Sequence, residues 1–138
     1  MKITSGTETQ SPSKTLGSLP RILVVDREKG LRDIVVPCLF RDGFDCREAE
    51  DGRDAIDLLA TRVRFDLVLS CLLMPIVDGY TLLLHVKKHY PKIPFAFVTA
   101  IQDAELRETV MRDGADDYLL KPFSCEALLT MIRKLLRR

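Results

Sequence analysis

The feature that most constrains the fold of this sequence is a regular alternation of short strand-like runs with longer segments of helical period, beginning at Arg21. The strand-like runs are ILVV at 22–25, FDCREAE at 44–50, DLVLS at 66–70, IPFAFV at 93–98 and DDYLL at 116–120. The helical segments cover 28–43, 52–64, 79–90, 104–114 and 124–138. The last segment carries an apolar stripe made of Leu128, Ile132, Leu135 and Leu136. The pattern predicts five strands, each followed by a helix.

This alternation favours one class of architecture. Neighbouring parallel strands need a long right-handed crossover, and a helix between successive strands supplies it. Runs such as ILVV and FAFV are apolar at every position, which suits a sheet covered by helices on both faces. We therefore expect an α/β fold with a doubly wound, five-stranded parallel sheet. Pro37 lies inside the first helical segment and should kink or break that helix near Ile34 and Val35.

The length of the chain fits one such domain. At 138 residues it can bury a single core. Residues 1–20 are rich in Ser, Thr, Gly, Pro and Lys and show no periodicity, so we expect a flexible tail there. Residues 21–138 then form the domain.

Charge and hydropathy exclude several classes of function. The formal net charge of +1 does not suit nucleic-acid binding through bulk charge. No apolar stretch reaches the roughly 20 residues that span a bilayer, and the amino terminus lacks the apolar core of a signal peptide. We therefore expect a cytoplasmic protein that binds neither membranes nor, by itself, nucleic acid. The four cysteines, at 38, 46, 71 and 125, form no C-x-x-C pair, and we expect reduced thiols packed mostly as small hydrophobes.

Functional side chains in open parallel sheets gather where loops leave the carboxyl ends of the strands. The residues at those positions are Asp26, Arg27, Glu28, Cys71, Thr99, Ala100, Lys121 and Pro122. In their sequence context, VVDRE, LVLSCLLMPIVDGY, FVTA and DDYLLKPF, they resemble the receiver domain of bacterial response regulators of the chemotaxis type. The resemblance extends from about Arg21 to the end of the chain and implies the flavodoxin-like (βα)5 receiver fold.

The resemblance also implies a role for each position. In the family, a kinase histidine donates phosphate to an aspartate at the position of Cys71, and magnesium is held by that aspartate and an acidic pair. Lys121 and Thr99 match the residues that contact the phosphoryl oxygens. Tyr118 matches the aromatic residue that moves inward with Thr99 on activation and reshapes the surface of the fourth helix, fifth strand and fifth helix. The peptide bond between Lys121 and Pro122 is expected to be cis.

Two departures from the family pattern change the chemistry. Cys71 stands in place of the phosphate-accepting aspartate, and Arg27 replaces the second acid of the pair. Asp26 is then the one acid of the site and faces two cations, Lys121 and Arg27. The formal charge of the site is therefore roughly one positive, whereas that of the family's site is roughly two negative. Because Mg²⁺ prefers oxygen ligands, we expect no bound metal or cofactor, and we expect Arg27 or Lys121 to pair with Asp26 instead. Ordinary aspartyl phosphorylation is chemically impossible at position 71.

The function that these observations favour is that of an atypical receiver in two-component signal transduction. It would bind a protein partner, or a second copy of itself, independently of aspartyl phosphorylation. The expected surface is the face of the fourth helix, fifth strand and fifth helix, with Leu106, Val110 and Met111 as candidates and Tyr118 nearby. An enzyme is not expected, because no nucleophile has an adjacent general base and no cofactor loop is present.

Several alternatives remain open from the sequence. Cys71 is either an inert apolar filler or a redox or modification sensor, since Lys121 and Arg27 would favour its thiolate. Asp26, Lys121 and Thr99 are either structural remnants or a pocket for a free anion. A third function is that of a receiver phosphorylated elsewhere, at Thr99 or at a serine of the tail.

Overall fold

The computed structural model of the chain describes residues 19–137. The predicted tail therefore lies outside the described residues, apart from Leu19 and Pro20. The backbone carbonyl of Pro20 accepts a hydrogen bond from Asp45 N at 2.9 Å, so the described contacts of the domain include the residue before Arg21.

Five strands alternate with five helices in the described residues, as the sequence pattern predicts. The strands are β1 (Arg21–Val25), β2 (Asp45–Ala49), β3 (Leu67–Ser70), β4 (Phe95–Thr99) and β5 (Asp117–Leu120). The helices are α1 (Lys29–Arg41), α2 (Gly52–Leu59), α3 (Gly79–His89), α4 (Ala104–Arg112) and α5 (Cys125–Leu136).

All the strands pair in parallel in one sheet of order β2-β1-β3-β4-β5. The chain first adds β2 on one side of β1 and then crosses to the other side for β3, β4 and β5. The sheet is therefore doubly wound, and the predicted fold class is confirmed. The order reverses beside β1, so a crevice is expected at the carboxyl ends of β1 and β3.

Two apolar cores cover the two faces of the sheet, because successive strand residues point to opposite sides. On one face, Leu23 and Val25 of β1 pack with buried residues of α2, α3 and α4. On the other face, Ile22 and Val24 pack with α1 and α5. The predicted stripe of α5 is confirmed, since Leu128, Ile132 and Leu135 are buried there and Leu136 is partly buried.

Two predictions about the helices are corrected, the possible break at Pro37 and the end of the second helix. The break near Ile34 and Val35 does not occur, because α1 runs without interruption through Pro37. Pro37 is exposed, while the neighbouring Cys38 and Leu39 are buried, so tertiary packing holds the helix together around the missing backbone donor. The second helix ends at Leu59 and not at Arg64, since Ala60 already forms its C-cap.

The expectation of four reduced thiols is also corrected. Cys38 of α1 and Cys125, the first residue of α5, form a disulfide, with Cα atoms 6.1 Å apart. Cys46 and Cys71 are free thiols. The pairing depends on α1 and α5 packing side by side on one face of the sheet, which a separation of 87 residues does not reveal.

No helix among residues 19–137 is both long enough and apolar enough to cross a bilayer. The cytoplasmic location stays a prediction from the sequence.

Candidate functional site

The predicted site residues meet at the carboxyl edge of the sheet. Asp26 directly follows β1, Cys71 follows β3, Thr99 ends β4 and Lys121 follows β5. Since β1, β3, β4 and β5 are neighbours in the sheet, this edge brings together side chains that lie 95 residues apart in sequence. The contacts described below link Asp26 to Lys121 and Lys121 to Thr99, and the role of these residues as one functional site stays a prediction.

Asp26 is the buried charge of the pocket. Its side chain is 3% exposed, and a carboxylate so far from water needs hydrogen-bond donors or a cation. Lys121 Nζ lies 3.0 Å from Oδ2, and the backbone N–H of Glu28 donates to Oδ1 at 2.9 Å. The carbonyl of Asp26 accepts a hydrogen bond from Arg32 Nη1 at 2.5 Å. Both carboxylate oxygens therefore already have partners.

The two cations considered for Asp26 are placed differently. Lys121 pairs with Asp26, and its side chain keeps 20% of its surface exposed. Arg27 is exposed at the start of the loop after β1. Arg32 was not singled out from the sequence, although its side chain is only 12% exposed and links the backbone of Asp26 to Glu48. Its helical position one turn beyond Glu28 is the signal that could have suggested it.

Cys71 is a buried thiol at the floor of the pocket. The residue is 5% exposed, its backbone N–H donates to Val25 O at 3.0 Å, and its Sγ donates weakly to Leu73 O at 3.5 Å. Burial raises the pKa of Cys71 to about 11, and the negative charge of Asp26 adds to the rise. The backbone amide of Arg27 and the charge of Lys121 lower it less. The thiol is therefore neutral at physiological pH and a poor nucleophile.

The loop between β3 and α3 owes its shape to the M-P-x-x-D-G motif. Asp78 caps α3 by accepting a hydrogen bond from Thr81 N at 2.8 Å. Gly79 is needed next, because a Cβ there would collide with the carbonyl oxygen of Cys71. Ile76 adopts the left-handed conformation with φ of 70°, which is unusual for a β-branched residue.

Thr99 and Tyr118 both form hydrogen bonds with Ile101 in the loop after β4. Tyr118 is 6% exposed, and its hydroxyl donates to Ile101 O at 2.6 Å. The backbone N–H of Ile101 donates to Thr99 Oγ1 at 3.2 Å, so both side chains are tied to the same residue. The guanidinium of Arg107 lies 5.3 Å from the centre of the Tyr118 ring, a cation–π contact. Tyr118 is therefore held inside the domain.

The peptide bond between Lys121 and Pro122 is cis. The backbone N–H of Lys121 donates to Thr99 O at 2.9 Å, so the turn that presents its ammonium group is joined to β4.

The model of the response regulator receiver domain family matches residues 22–133, most of the chain and all but the end of its last helix. This chain belongs to the response regulator receiver family. A curated relative, the transcriptional regulatory protein TrcR of Mycobacterium tuberculosis, is 37% identical over 96% of this chain and 55% of its own length. The response regulator MprA of Mycolicibacterium vanbaalenii is 38% identical over 86% of this chain and 51% of its own. The chain thus spans about half the length of the curated relatives it matches.

Solved receiver structures share the fold. The CheY-like receiver domain protein from Methanospirillum hungatei is 28% identical and superimposes with a TM-score of 0.81, covering 86% of this chain and 94% of its own. The chemotaxis response regulator CheY4 of Vibrio cholerae is 29% identical with a TM-score of 0.80, covering 86% of this chain and 100% of its own. The flavodoxin-like receiver fold and a place in two-component signalling are thereby confirmed.

The apolar residues predicted for a partner surface of this receiver domain do not form one. Val110 is fully buried in the core, and Tyr118 is buried as described, so both are corrected. Leu106 and Met111 are half-buried against the same core. An apolar stripe on a helix of a small domain packs first against the sheet, and that tendency prevailed here. What this face presents to solvent is charged, including Glu105, Glu108 and Arg112 of α4.

Large exposed apolar side chains of the receiver domain lie elsewhere. Leu73 and Ile76, on the loop beside Cys71, are 64% and 77% exposed, and Ile34 and Phe40 are exposed on α1. Sequence reasoning missed them because they occur inside otherwise core-like apolar runs, where only the three-dimensional packing separates inner from outer positions.

Three acidic side chains lie close together at the end of β2, namely Glu50, Asp51 and Asp54. Asp51 is the N-cap of α2 and accepts a hydrogen bond from Asp54 N at 2.8 Å. Helix capping accounts for their arrangement.

Proposed function

We propose that this receiver domain acts as a protein-interaction module whose output does not depend on aspartyl phosphorylation. The observation that carries the proposal is the ion pair between Lys121 Nζ and Asp26 Oδ2, 3.0 Å apart, beside the buried thiol of Cys71. In the resemblance, the lysine contacts a phosphoryl group carried by an aspartate at position 71. Here the lysine neutralises Asp26, and position 71 offers a sulfur that burial keeps protonated.

The residues of the pocket do not fit Mg²⁺, the ion that the family implies. Mg²⁺ requires several oxygen ligands in near-octahedral geometry. Asp26 is the carboxylate of the pocket, and its two oxygens are engaged by Lys121 and by the backbone of Glu28. Arg27 brings a positive charge where a second acid would assist the metal. We therefore assign no metal or cofactor to the domain and no catalytic step to the pocket.

The position of the switch residue Tyr118 supports an active arrangement of the domain that does not require a phosphoryl group. Tyr118 is buried and hydrogen-bonded to Ile101 O, with Arg107 over its ring. By the resemblance, the inward position of this aromatic accompanies activation. We propose that these contacts hold α4, β5 and α5 in one arrangement in the absence of a phosphoryl group.

The proposed partner surface is the α4–β5–α5 face, now described by its charges. The ion pair between Lys134 of α5 and Asp117 of β5, 3.2 Å apart, joins two of its elements. Acidic and basic side chains alternate across α4, so a protein partner or a second copy of the domain with matching charges suits this face better than nucleic acid or a membrane.

One curated relative, TrcR, is named a transcriptional regulatory protein and another, MprA, a response regulator, and this chain covers about half of their length. The proposal is confined to the receiver half. It assigns to this half the regulation of a protein partner and leaves transcription to the full-length relative that is named for it.

The alternatives from the sequence have less support. The raised pKa of Cys71 opposes the sensor role, because the reactive species is the thiolate. Thr99 is 3% exposed and its hydroxyl accepts a backbone hydrogen bond, so a kinase would not reach it easily. The serines of the predicted tail at 5, 11, 13 and 18 lie outside the described residues.

The test is phosphorylation by acetyl phosphate with Mg²⁺, followed by intact mass and thermal unfolding. We expect no phosphoryl adduct on the wild type. The double variant Arg27→Asp, Cys71→Asp restores both missing acids, and we expect an adduct there. Arg27→Asp alone is the matched control, since it recovers the acidic pair but not the acceptor aspartate, and it should stay unmodified.

A phosphoryl adduct on the wild-type protein at any residue, together with a shift of its melting temperature, would contradict the proposal. Absence of an adduct on the double variant would contradict the role assigned to these two substitutions.

A further inference from the structure

The contact between Cys38 and Cys125 is a feature that the proposed function does not use. Cys38 lies in the last turns of α1 and is 4% exposed, whereas Cys125 is exposed at the start of α5. Their Cα atoms are 6.1 Å apart, within the usual range for a disulfide, so the backbone already presents the two sulfurs to each other.

The other two cysteines are unsuited to redox chemistry. Burial raises the pKa of Cys46 to about 12 and that of Cys71 to about 11, so both stay protonated at neutral pH. Neither has a partner cysteine, since both are free thiols in the structure. Thiol–disulfide chemistry in this domain is therefore concentrated at the α1–α5 pair.

The pair has an exposed and a buried member, which is the arrangement that stepwise exchange needs. Cys125 occupies the first turn of α5, where the partial positive charge of the helix N-terminus favours a thiolate. An external sulfur can approach this position from solvent. Cys38 lies behind it and can react only with Cys125.

The pair is also coupled to the pocket through two short connections. On the α1 side, Arg32 donates a hydrogen bond to the carbonyl of Asp26. On the α5 side, Lys121 precedes Cys125 by four residues and pairs with the carboxylate of the same Asp26. With the hydrogen bond of Arg32 and the ion pair of Lys121, a bond between Cys38 and Cys125 completes a ring of contacts through Asp26, and so fastens the start of α5 to the pocket.

We propose that Cys38 and Cys125 form a reversible redox site that locks the start of α5 onto α1 when it is oxidised by a low-molecular-weight disulfide. The thiolate of Cys125 attacks one sulfur of that disulfide and displaces the first thiolate. The thiolate of Cys38 then attacks Cys125 in the mixed disulfide and displaces the second. The protein loses two protons and two electrons, and the small disulfide is reduced to two thiols. An external dithiol reverses the sequence by attacking Cys125 first.

The experiment equilibrates the wild-type domain with reduced and oxidised glutathione in varying ratio, followed by acid quenching, denaturation, alkylation and intact mass. We expect the number of alkylated cysteines to fall from four to two over a defined range of ratios, and to return to four on adding excess dithiol. Peptide mapping without reduction should join Cys38 to Cys125. Cys46→Ser should show the same transition with one thiol fewer.

A second readout tests the locking of α5. Amide hydrogen exchange over Ala127, Leu128 and Leu129 should slow by about tenfold or more on oxidation, because the bond suppresses local opening of the first turn. Cys38→Ser and Cys125→Ser should give the same exchange under both conditions, and each variant serves as the unlocked control.

Three outcomes would overturn the proposal. Four alkylated cysteines at every glutathione ratio would exclude the redox site. A disulfide that resists excess dithiol in the folded protein would make it a fixed cross-link. Equal exchange of α5 in the oxidised and reduced wild type would remove the lock. None of these readouts involves phosphorylation, so the inference stands or fails independently of the proposed function.

Discussion

At the scale of single residues, Asp26 determines the state of the pocket. Its carboxylate is buried and has one cation, Lys121, and one backbone donor, Glu28, within 3.0 Å. A buried charge of this kind depends on its partners far more than a surface charge does, because water cannot replace them. The contribution of each partner can therefore be measured by removing it.

We expect Lys121→Met to lower the free energy of unfolding by about 2–3 kcal/mol, since it leaves Asp26 buried without a cation. Asp26→Asn combined with Lys121→Met should recover part of the loss, which a double-mutant cycle in urea detects. Lys29→Met is the matched control, because its ion pair with Asp33 is largely exposed, and it should cost less than about 0.5 kcal/mol. Equal losses at both lysines would show that the Asp26 pair is not special.

The raised pKa of Cys71 gives a prediction about pH. Reaction of folded Cys71 with a thiol reagent at pH 8 should be roughly a hundredfold slower than that of a peptide containing residues 67–75, since the pKa of about 11 lies well above the ordinary value of 9.0. The rate should rise until the pH passes about 11. Peptide-level mass spectrometry measures it, and a plateau near pH 9 would contradict the burial argument.

The same shift predicts a loss of stability in alkali. Because folding raises the pKa of Cys71, the folded state favours the protonated thiol. This contribution to stability is fully present below the unfolded pKa of about 9 and is lost as the pH rises through about 11. The difference in unfolding free energy between wild type and Cys71→Ala should therefore shrink over that interval, as measured by urea unfolding at each pH.

At the scale of helices and loops, two glycines at the start of helices offer a direct comparison. Gly79 begins α3, and a Cβ there would collide with the backbone of Cys71 and Leu72. Gly30 lies in the first turn of α1 with nothing within 4 Å of such a Cβ. The two glycines look alike in the sequence, but the structure leaves no room for a side chain at Gly79 and ample room for one at Gly30.

We expect Gly79→Ala to lower the free energy of unfolding by about 3 kcal/mol or more, because rigid backbone would have to move. Gly30→Ala should raise it by about 0.5 kcal/mol, since alanine restricts the unfolded chain and favours the helix. Chemical denaturation of both variants gives the comparison. Similar effects of the two substitutions would mean that the loop beside Cys71 is softer than its contacts indicate.

Periodicity in the sequence predicted the elements well, for reasons visible in particular segments. ILVV and FAFV are buried on both faces and therefore apolar throughout, and the α5 stripe recurs at helical spacing because one side of that helix meets the sheet. Pro37 misled the prediction, because its local effect competes with the burial of Val35, Cys38 and Leu39, which only the packed structure contains.

At the scale of the whole molecule, the candidate site was predictable where strand order fixes position. Asp26, Cys71, Thr99 and Lys121 each follow or end a strand, so parallel pairing alone brings them together. The disulfide between Cys38 and Cys125 and the burial of Val110 were not predictable in this way. Both depend on which helices lie side by side and how far each is rotated about its axis.

If the output of the domain does not depend on aspartyl phosphorylation, a phosphoryl mimic should not change its conformation. Adding beryllofluoride with Mg²⁺ should leave the backbone amide signals of residues 99–120 unchanged in the wild type, because no carboxylate at position 71 can bind the mimic. In Arg27→Asp, Cys71→Asp the signals around the pocket should shift. Nuclear magnetic resonance of labelled protein measures both, and a shift in the wild type would contradict the proposal.

The outer strand β2 has a consequence for association in concentrated solution. It lies at one edge of the sheet, and Arg47 and Glu48 are exposed along it, with Asp45 ion-paired to Arg21 and Glu48 to Arg32. An open strand edge can recruit strands from other molecules and seed fibrous aggregates, and charges along the edge oppose this. Neutral substitutions at Arg47 and Glu48 would therefore increase the tendency of the domain to aggregate, while the fold of the single molecule stays intact.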